Sequence, residues 1–247
     1  MYYAVILAGG TGSRMGIDRP KQLLPLCGST VLEHSVAAFV RHAAIAAIII
    51  VVHPSTLAEV EGIVRRRQAA EAAWAKVCRI VTGGATRAES SLKALEAIEA
   101  LRGEQGEEAA PAHVLFHDAA RPLVSQRIIT AVCQALRQEK AVNVGVAMTD
   151  TVVRCIDGIQ TETPPRDGLF RVQTPQGFCL DTICQAYARA MADPAFQATD
   201  DCGIVLRYLP HTPIRLVEGD EKNLKLTYAS DIPLFEMLLA RAASPQP

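Results

Sequence analysis

The sequence predicts an α/β fold: a mainly parallel, twisted sheet with helices on both faces, extended by one protruding β-hairpin. Three observations carry this. Short, almost wholly apolar runs alternate with longer amphipathic segments, the pattern of buried parallel strands covered by helices. Glycine-rich turns follow some of those runs directly, where ligands bind in such sheets. A single Asp157-Gly158 pair stands between two alternating runs and signals a hairpin. The chain has 247 residues, 49% of them hydrophobic, so it can bury one large core. Residues 1–242 read as one domain, with a hairpin arm at about 149–170 and a disordered tail at 243–247.

Each element has its own justification. The apolar run Ala4–Ala8, with strand Val5–Leu7, opens into Gly9-Gly10-Thr11-Gly12-Ser13-Arg14-Met15-Gly16, and Pro20-Lys21-Gln22 follows. Amphipathic spacing predicts helices over Val31–Arg41, Thr56–Ala70, Arg87–Leu101 and Gln126–Gln138. Between them, strands are expected at Ala47–Val52, Arg79–Val81, Val114–Phe116 and Asn143–Ala147. The stretch Gly103–Ala112 is a solvated, Glu- and Ala-rich connection. Thr151–Ile156 and Ile159–Thr163 form the hairpin. An isolated two-stranded hairpin is marginal in water, so it should pack on another surface, and a second subunit is a candidate. Lys225, between Leu224 and Leu226, is expected in a strand-like run, facing solvent or an anion.

Composition narrows the function. A formal net charge of −1 argues against bulk binding to nucleic acid or an anionic membrane. The longest apolar stretch, Ala43–Val52, is too short to span a bilayer, and no signal peptide is expected. Seven scattered cysteines, none spaced C-x-x-C, read as small buried hydrophobes in a reducing cytoplasm rather than a zinc site or disulfide framework.

The first glycine loop matches neither well-known phosphate motif. It has no Gly-Lys pair, as a P-loop requires. Met15 stands where a dinucleotide fingerprint needs its third glycine, and the acidic residue at the expected distance, Glu33, sits at a helix start. Bare amides with Arg14 and Lys21 instead suit a polyphosphate. Gly83 and Gly84 let a flat base approach the backbone, and Ser90 could reach its polar edge, although helix capping explains part of that pattern. Asp118, at a strand's carboxyl end, is placed to hold Mg²⁺ against phosphate oxygens, with a simple Asp-capped turn as the alternative. Arg121 could pair with Asp118 or with an anionic ligand. His117 reads as a packing or hydrogen-bonding residue rather than a base. Arg166 follows Pro164-Pro165 at a rigid corner.

Taken in order, Leu7–Met15, Pro20-Lys21-Gln22, Gly83-Gly84 with Arg87 and Ser90, His117–Pro122, Arg166 with Gly168-Leu169, Thr174–Phe178, Thr199-Asp200-Asp201, and Glu218-Gly219 with Asn223 and Lys225 resemble the 2-C-methyl-D-erythritol 4-phosphate cytidylyltransferase family, from about Tyr3 to Leu238. The resemblance implies a Rossmann-like nucleotidyltransferase fold and transfer of CMP from CTP to a polyol phosphate, with release of pyrophosphate. It implies Mg²⁺ and a homodimer, with the arm reaching into the partner's site. It casts Arg14 and Lys21 as transition-state stabilisers and Arg166 and Lys225 as the pair positioning the acceptor phosphate. Ala8, Gly9, Gly10, Thr11, Gly12, Gly83, Gly84 and Ser90 would contact CTP, Asp118 the metal, and Arg121, Thr151, Thr174 and Thr199 the acceptor. Two positions depart from the pattern. Ala85 replaces an acidic residue common after the glycine pair, and Lys222 stands where some relatives carry a carboxylate. The alternatives are a ribitol 5-phosphate cytidylyltransferase, a sugar-nucleotide pyrophosphorylase, a non-catalytic nucleotide-binding regulator and an NAD(P) enzyme. Cations from opposite ends of the chain are expected to converge above the sheet.

Overall fold

The structure, a computed structural model, describes residues 1–10, 19–106, 110–196 and 200–243. Among them a seven-stranded sheet forms the centre. Its strands are β1 (Tyr2–Ala8), β4 (Ile45–Val52), β5 (Val77–Thr82), β6 (His113–Asp118), β7 (Ala141–Ala147), β10 (Phe170–Cys179) and β11 (Ile214–Glu218). The spatial order is β11-β7-β10-β6-β1-β4-β5. All neighbouring pairs are parallel except those made by β10, which runs antiparallel to β6 and β7.

The strands are apolar on both sides because both sides are covered. Ala4, Ile6 and Ala8 of β1, with Ile48, Ile50 and Val52 of β4, join one core. Tyr3 and Val5, with Ala47, Ile49 and Val51, join the other. The alternation follows from the two-residue period of a strand. Helices α1 (Val31–Val40), α2 (Leu57–Ala70) and α4 (Gln126–Ala135) cover the first face. Helices α3 (Arg87–Gln105), α5 (Leu180–Met191) and α6 (Asp201–Tyr208) cover the second. Local chemistry starts these helices where expected. Thr30 and Glu33 form a reciprocal capping box on α1, with the Thr30 N–H donating to Glu33 Oε2 at 2.8 Å. Ser125 caps α4 by accepting from the Ile128 N–H.

A third, smaller cluster lies outside the two main cores. It joins Leu24, Leu26, Val31, Leu226 and Phe235, which come from the short β2 (Pro25–Leu26) and its surroundings, the C-terminal segment, and α7 (Ile232–Ala243). The β2 strand pairs with β3 (Ser29–Thr30). Helix α7 runs through Ala243, and residues 244–247 lie outside the described residues.

The arm consists of β8 (Arg154–Ile156) and β9 (Ile159–Glu162), paired antiparallel. Asp157 and Gly158 both take positive φ, 50° and 79°, as a two-residue hairpin turn requires. Thr151–Val153, expected in the first hairpin strand, are not paired. The run around Lys225 differs from expectation too. Residues 223–227 form no strand.

The sequence reading names none of β10, β11, α5, α6 and α7, and of these only β10 lies inside the sheet. Pro175 and polar neighbours disguise β10, and its pairing with β7 is irregular between Gln173 and Gly177. Gly177 is needed there for space. A Cβ on it would lie 2.5 Å from Val132 Cγ1 and 2.9 Å from Leu136 Cδ1, both contributed by the helix packed above. Gly177→Ala should therefore destabilise the fold by about 1–3 kcal/mol, the usual cost of overpacking. Urea unfolding checks this, and an unchanged midpoint would show that α4 shifts freely.

Candidate active site

The carboxyl ends of β1, β4, β5 and β6 surround one cavity of about 480 Å³. Ala8, Gly9, Gly10, Lys21, Gly84, Ser90, Asp118 and Lys225 all line it. Gln22, Ala85 and Arg87, which the sequence reading placed in or beside its motifs without a stated role, line it as well, and so do His53, Thr86 and Thr227, which it did not place in the site.

The glycine loop is held from below. Gln22 is buried, and its Nε2 donates to the carbonyls of Ala8 at 2.6 Å and Gly10 at 3.0 Å. Turning those carbonyls toward Gln22 fixes the entry of the loop. Thr11, Gly12 and Arg14 fall outside the described residues, as does Thr199.

At the second glycine turn, the Gly84 N–H donates to Ser90 Oγ at 3.2 Å, and Ser90 Oγ donates to the Thr86 carbonyl at 2.9 Å. Among the described residues, one lone pair of Ser90 Oγ is left for a ligand donor. Glu89 accepts from the Ala85 N–H at 2.8 Å, so a carboxylate stands beside position 85 although that residue is alanine. Gly84 permits this approach: a Cβ there would lie 2.3 Å from the Glu89 Cβ.

The charged groups converge. Lys225 Nζ contacts Asp118 Oδ2 at 2.7 Å. Lys21 Nζ donates to the carbonyl of Leu226, the next residue, at 3.0 Å. Arg87 places Nε 3.9 Å from Asp118 Oδ1 and Nη2 2.7 Å from Asp201 Oδ2. Burial raises the pKa of the Asp118 carboxyl, but Lys225 and Arg87 outweigh it and hold the group well below the usual carboxylate range. Burial opposes the charge on Arg87 too, and Asp201 and Asp118 more than restore it, raising its pKa.

A sequence signal for Arg87 existed. It is the first residue of α3, after the Thr86 cap. A cation there opposes the helix dipole, so it needs carboxylates nearby.

Behind the cavity, Asp118 is held by a directional chain. Its N–H donates to Thr174 Oγ1 at 3.1 Å. Thr174 Oγ1 lies 3.0 Å from His117 Nδ1, and His117 Nε2 lies 3.1 Å from the Arg121 carbonyl. A carbonyl only accepts, so Nε2 carries the proton and neutral His117 accepts at Nδ1 from the Thr174 hydroxyl. Burial pushes the His117 pKa down to about 4. Arg121 donates to the Asn223 carbonyl at 2.8 Å, while the Asn223 side chain donates to Gln173 Oε1 and the Thr174 carbonyl. Thr174 and Arg121 thus engage the protein's own groups here and do not line the cavity. Arg166 donates to the Thr149 carbonyl at 2.7 Å, on the exposed arm with Thr151, and neither lines the cavity of its own chain.

A divalent cation fits this donor set in one way. Among the described residues no three potential ligands cluster, and Asp118 is the one carboxylate lining the cavity. Among the described residues nothing hydrogen-bonds Asp118 Oδ1, with Arg87 Nε standing 3.9 Å away, so that oxygen can serve a cation. Mg²⁺ is commonly bound by one or two carboxylates with substrate phosphates supplying the rest.

Comparison with known proteins accounts for this arrangement. A sequence model of the 2-C-methyl-D-erythritol 4-phosphate cytidylyltransferase family matches residues 2–241. The chain belongs to that family. It is 49% identical to the 2-C-methyl-D-erythritol 4-phosphate cytidylyltransferase of Thermobifida fusca, over 96% of this chain and 92% of that protein. It is 36% identical to a bifunctional ribulose 5-phosphate reductase/CDP-ribitol pyrophosphorylase of Haemophilus influenzae, over 92% of this chain and 46% of that longer protein. The crystal structure of 4-diphosphocytidyl-2C-methyl-D-erythritol synthase from Anaerococcus prevotii superposes with a TM-score of 0.79 at 27% identity, covering 98% of this chain and 99% of that one. Family membership thus agrees with a cavity of backbone amides and fixed cations at the strand ends.

His117 gives the site a pH signature. Above pH 6.5 the ring is neutral folded and unfolded, and its contribution is fully present. As pH falls from 6.5 toward 4, the unfolded state takes up the proton first, so stability is lost. The stability difference between wild type and His117→Asn should shrink by up to about 3 kcal/mol across that window. Urea unfolding at several pH values checks this, and a constant difference would mean the ring is not held neutral.

Proposed function

We propose that this chain transfers a cytidylyl group from CTP to 2-C-methyl-D-erythritol 4-phosphate, giving 4-diphosphocytidyl-2-C-methyl-D-erythritol and pyrophosphate. The observation that carries the reading is the meeting of Lys21, Lys225 and Asp118 around one cavity floored by backbone of both glycine turns.

An oxygen of the acceptor phosphate attacks the α-phosphorus of CTP. The bond from that phosphorus to the bridging oxygen breaks in line, and pyrophosphate leaves with the electron pair. The attacking phosphate is already ionised at neutral pH, so no strong base is required. The chain's work is positioning and charge stabilisation. Backbone around Ala8–Gly12 and Gly83-Gly84, with Ser90, holds the nucleotide. Arg14 and Lys21 stabilise charge developing on the triphosphate. Lys225 positions the acceptor phosphate. Asp118 would hold Mg²⁺, which when bound neutralises charge on phosphate oxygens. Arg121, Thr174 and Thr199 complete the acceptor side, Arg121 and Thr174 by ordering the loop that carries Asp118 and the 223–227 segment.

Arg166 and Thr151 act from a second subunit in this proposal. Two observations support a homodimer. Both residues sit on the arm, away from their own chain's cavity. The arm and its base also expose Ile156, Ile159, Val153, Phe170 and Val172, a set that water would not leave uncovered. Among the described residues no helix is long and apolar enough to cross a membrane. Only Cys133 and Cys202 of the seven cysteines are buried, with Cys27 and Cys155 exposed, so the expectation of buried hydrophobes fails for most of them, while their unbridged state supports a reducing cytoplasm.

The test is pyrophosphate release by purified protein with CTP, Mg²⁺ and either 2-C-methyl-D-erythritol 4-phosphate or ribitol 5-phosphate. Preference for the methylerythritol substrate is expected. Preference for the ribitol substrate would move the chain toward its CDP-ribitol-forming relative, and no release with either would overturn the reading. Lys21→Ala should lower turnover by about 10²-fold or more while folding normally, the loss typical of one preorganised charge contact. Arg166→Ala should chiefly impair use of the acceptor, and mixing with a Lys21→Ala protein should restore activity in heterodimers. Absence of restoration would place Arg166's action within one chain.

A further inference from the structure

Asp201 is the one fully buried carboxylate among the described residues, and nothing in the proposed chemistry uses it. It is the first residue of α6, on the sheet face away from α1, α2 and α4. Its surroundings are specific. The Tyr187 hydroxyl donates to Oδ1 at 2.6 Å, and its backbone N–H donates to Gln176 Oε1 at 3.1 Å. Gln176 Nε2 in turn donates to Asp200 Oδ2 at 2.6 Å, fastening the start of α6 to β10. Oδ2 of Asp201 faces Arg87 Nη2 at 2.7 Å.

Burying a carboxylate is costly unless a cation accompanies it. Here the accompanying cation also lines the ligand cavity. Asp201, Arg87, Asp118 and Lys225 thus form a row of alternating charge from interior to cavity. Side-chain exposure along the row is 0%, 28%, 15% and 40%. Three elements contribute: the starts of α6 and α3 and the end of β6. Asp118 is shared between two cations, so its orientation depends on how strongly each pulls. Arg87 is likewise shared between two carboxylates.

We propose that Asp201 is a positioning residue: from inside the protein it retains Arg87, and so leaves Asp118 oriented toward Lys225 and the phosphate-bearing ligand. Without the Asp201 charge, Arg87 would turn fully to Asp118, and the Asp118–Lys225 contact would loosen. Asp201, from the sequence motif Thr199-Asp200-Asp201, thereby gains a role distinct from ligand contact. This inference rests on the cytidylyltransferase reading of the cavity.

The experiment compares wild type, Asp201→Asn, and Asp201→Asn/Arg87→Gln by steady-state pyrophosphate release, CTP calorimetry and thermal unfolding. Asparagine retains an acceptor for Tyr187 and removes only the charge. Asp201→Asn should unfold within about 5 °C of wild type. Its kcat should fall roughly tenfold or more, the order of a displaced charged group, while CTP affinity changes less than about twofold. The double variant should be no slower than Asp201→Asn and should recover part of its lost kcat, because without Arg87 nothing draws Asp118 away from Lys225. A folded Asp201→Asn with wild-type kcat would overturn the proposal. So would a double variant a further roughly tenfold slower, since Arg87 would then act without Asp201. If Asp201→Asn does not fold, Tyr187→Phe asks the same question by releasing Oδ1 alone. A roughly threefold lower kcat is expected from one lost hydrogen bond, and unchanged kcat overturns the inference. Wild type inactive with both polyol phosphates, and binding no CTP, would instead defeat the functional reading itself.

Discussion

Leu226 fastens the C-terminal segment to the rest of the site, and the site's charge arrangement depends on that attachment. Its N–H donates to the Ala120 carbonyl at 2.8 Å, in the loop after β6. Its carbonyl accepts from Lys21 at 3.0 Å. Its side chain is buried in the third cluster with Leu24, Leu26, Val31 and Phe235. One residue therefore ties together the region after the first glycine loop, the Asp118 loop and the end of the chain. Burying one leucine contributes about 1.5–3 kcal/mol, enough to hold a segment with no strand pairing of its own. Lys225 precedes it and must point the other way, toward Asp118. The convergence of cations from two ends of the chain follows from where a single apolar side chain is buried.

The loop below is fixed just as firmly. Arg121 and Asn223 link the Asp118 loop to the C-terminal segment, and Arg127 donates to the carbonyls of Glu218 and Gly219 farther down. Gln173 holds Asp220 from both sides, accepting its N–H and donating to its carbonyl. Most of these bonds use backbone carbonyls as acceptors, so they fix position without neutralising charge. The carboxylates that do neutralise, Asp118 and Asp201, are each matched to cations facing the cavity. In the proposed reaction this matters because electrostatic catalysis works best when charges need not reorganise.

Much of the scaffold was legible because its signals are local. β1 and β4 read as buried strands since both faces are apolar, and Asp157-Gly158 marked the hairpin because few pairs accept two positive φ values. The cavity residues beside the glycines were legible for the same reason. What escaped is non-local. β10 lies at the middle of the sheet with Pro175, Gln173 and Gln176 in it, and only its partners β6 and β7 make it a strand. Lys225 was readable as needing an anion, but the identity of that anion, 107 residues away, was not. Arg87 was visible as a helix start and as part of the second glycine motif, but its pairing with Asp201 requires α3 and α6 to meet. Arg14, Thr11, Gly12 and Thr199 lie outside the described residues, so their roles stand as proposed.

The two halves of the proposed acceptor site differ in how they are built. Lys225 is part of a tightly bonded single-chain framework. Arg166 sits on an arm whose apolar residues are largely exposed, Ile159 at 70% and Ile156 at 58%. An arm of two short strands has little stability alone, so its geometry must come from what it packs against. If that surface is a second copy of the chain, assembly and completion of the acceptor site become one event. The nucleotide side needs no such help among the described residues, since Ala8, Gly10, Gly84, Ser90 and Lys21 are all held by bonds within one chain. On this construction a lone chain would bind CTP yet transfer nothing, which separates the demands of nucleotide recognition from those of catalysis.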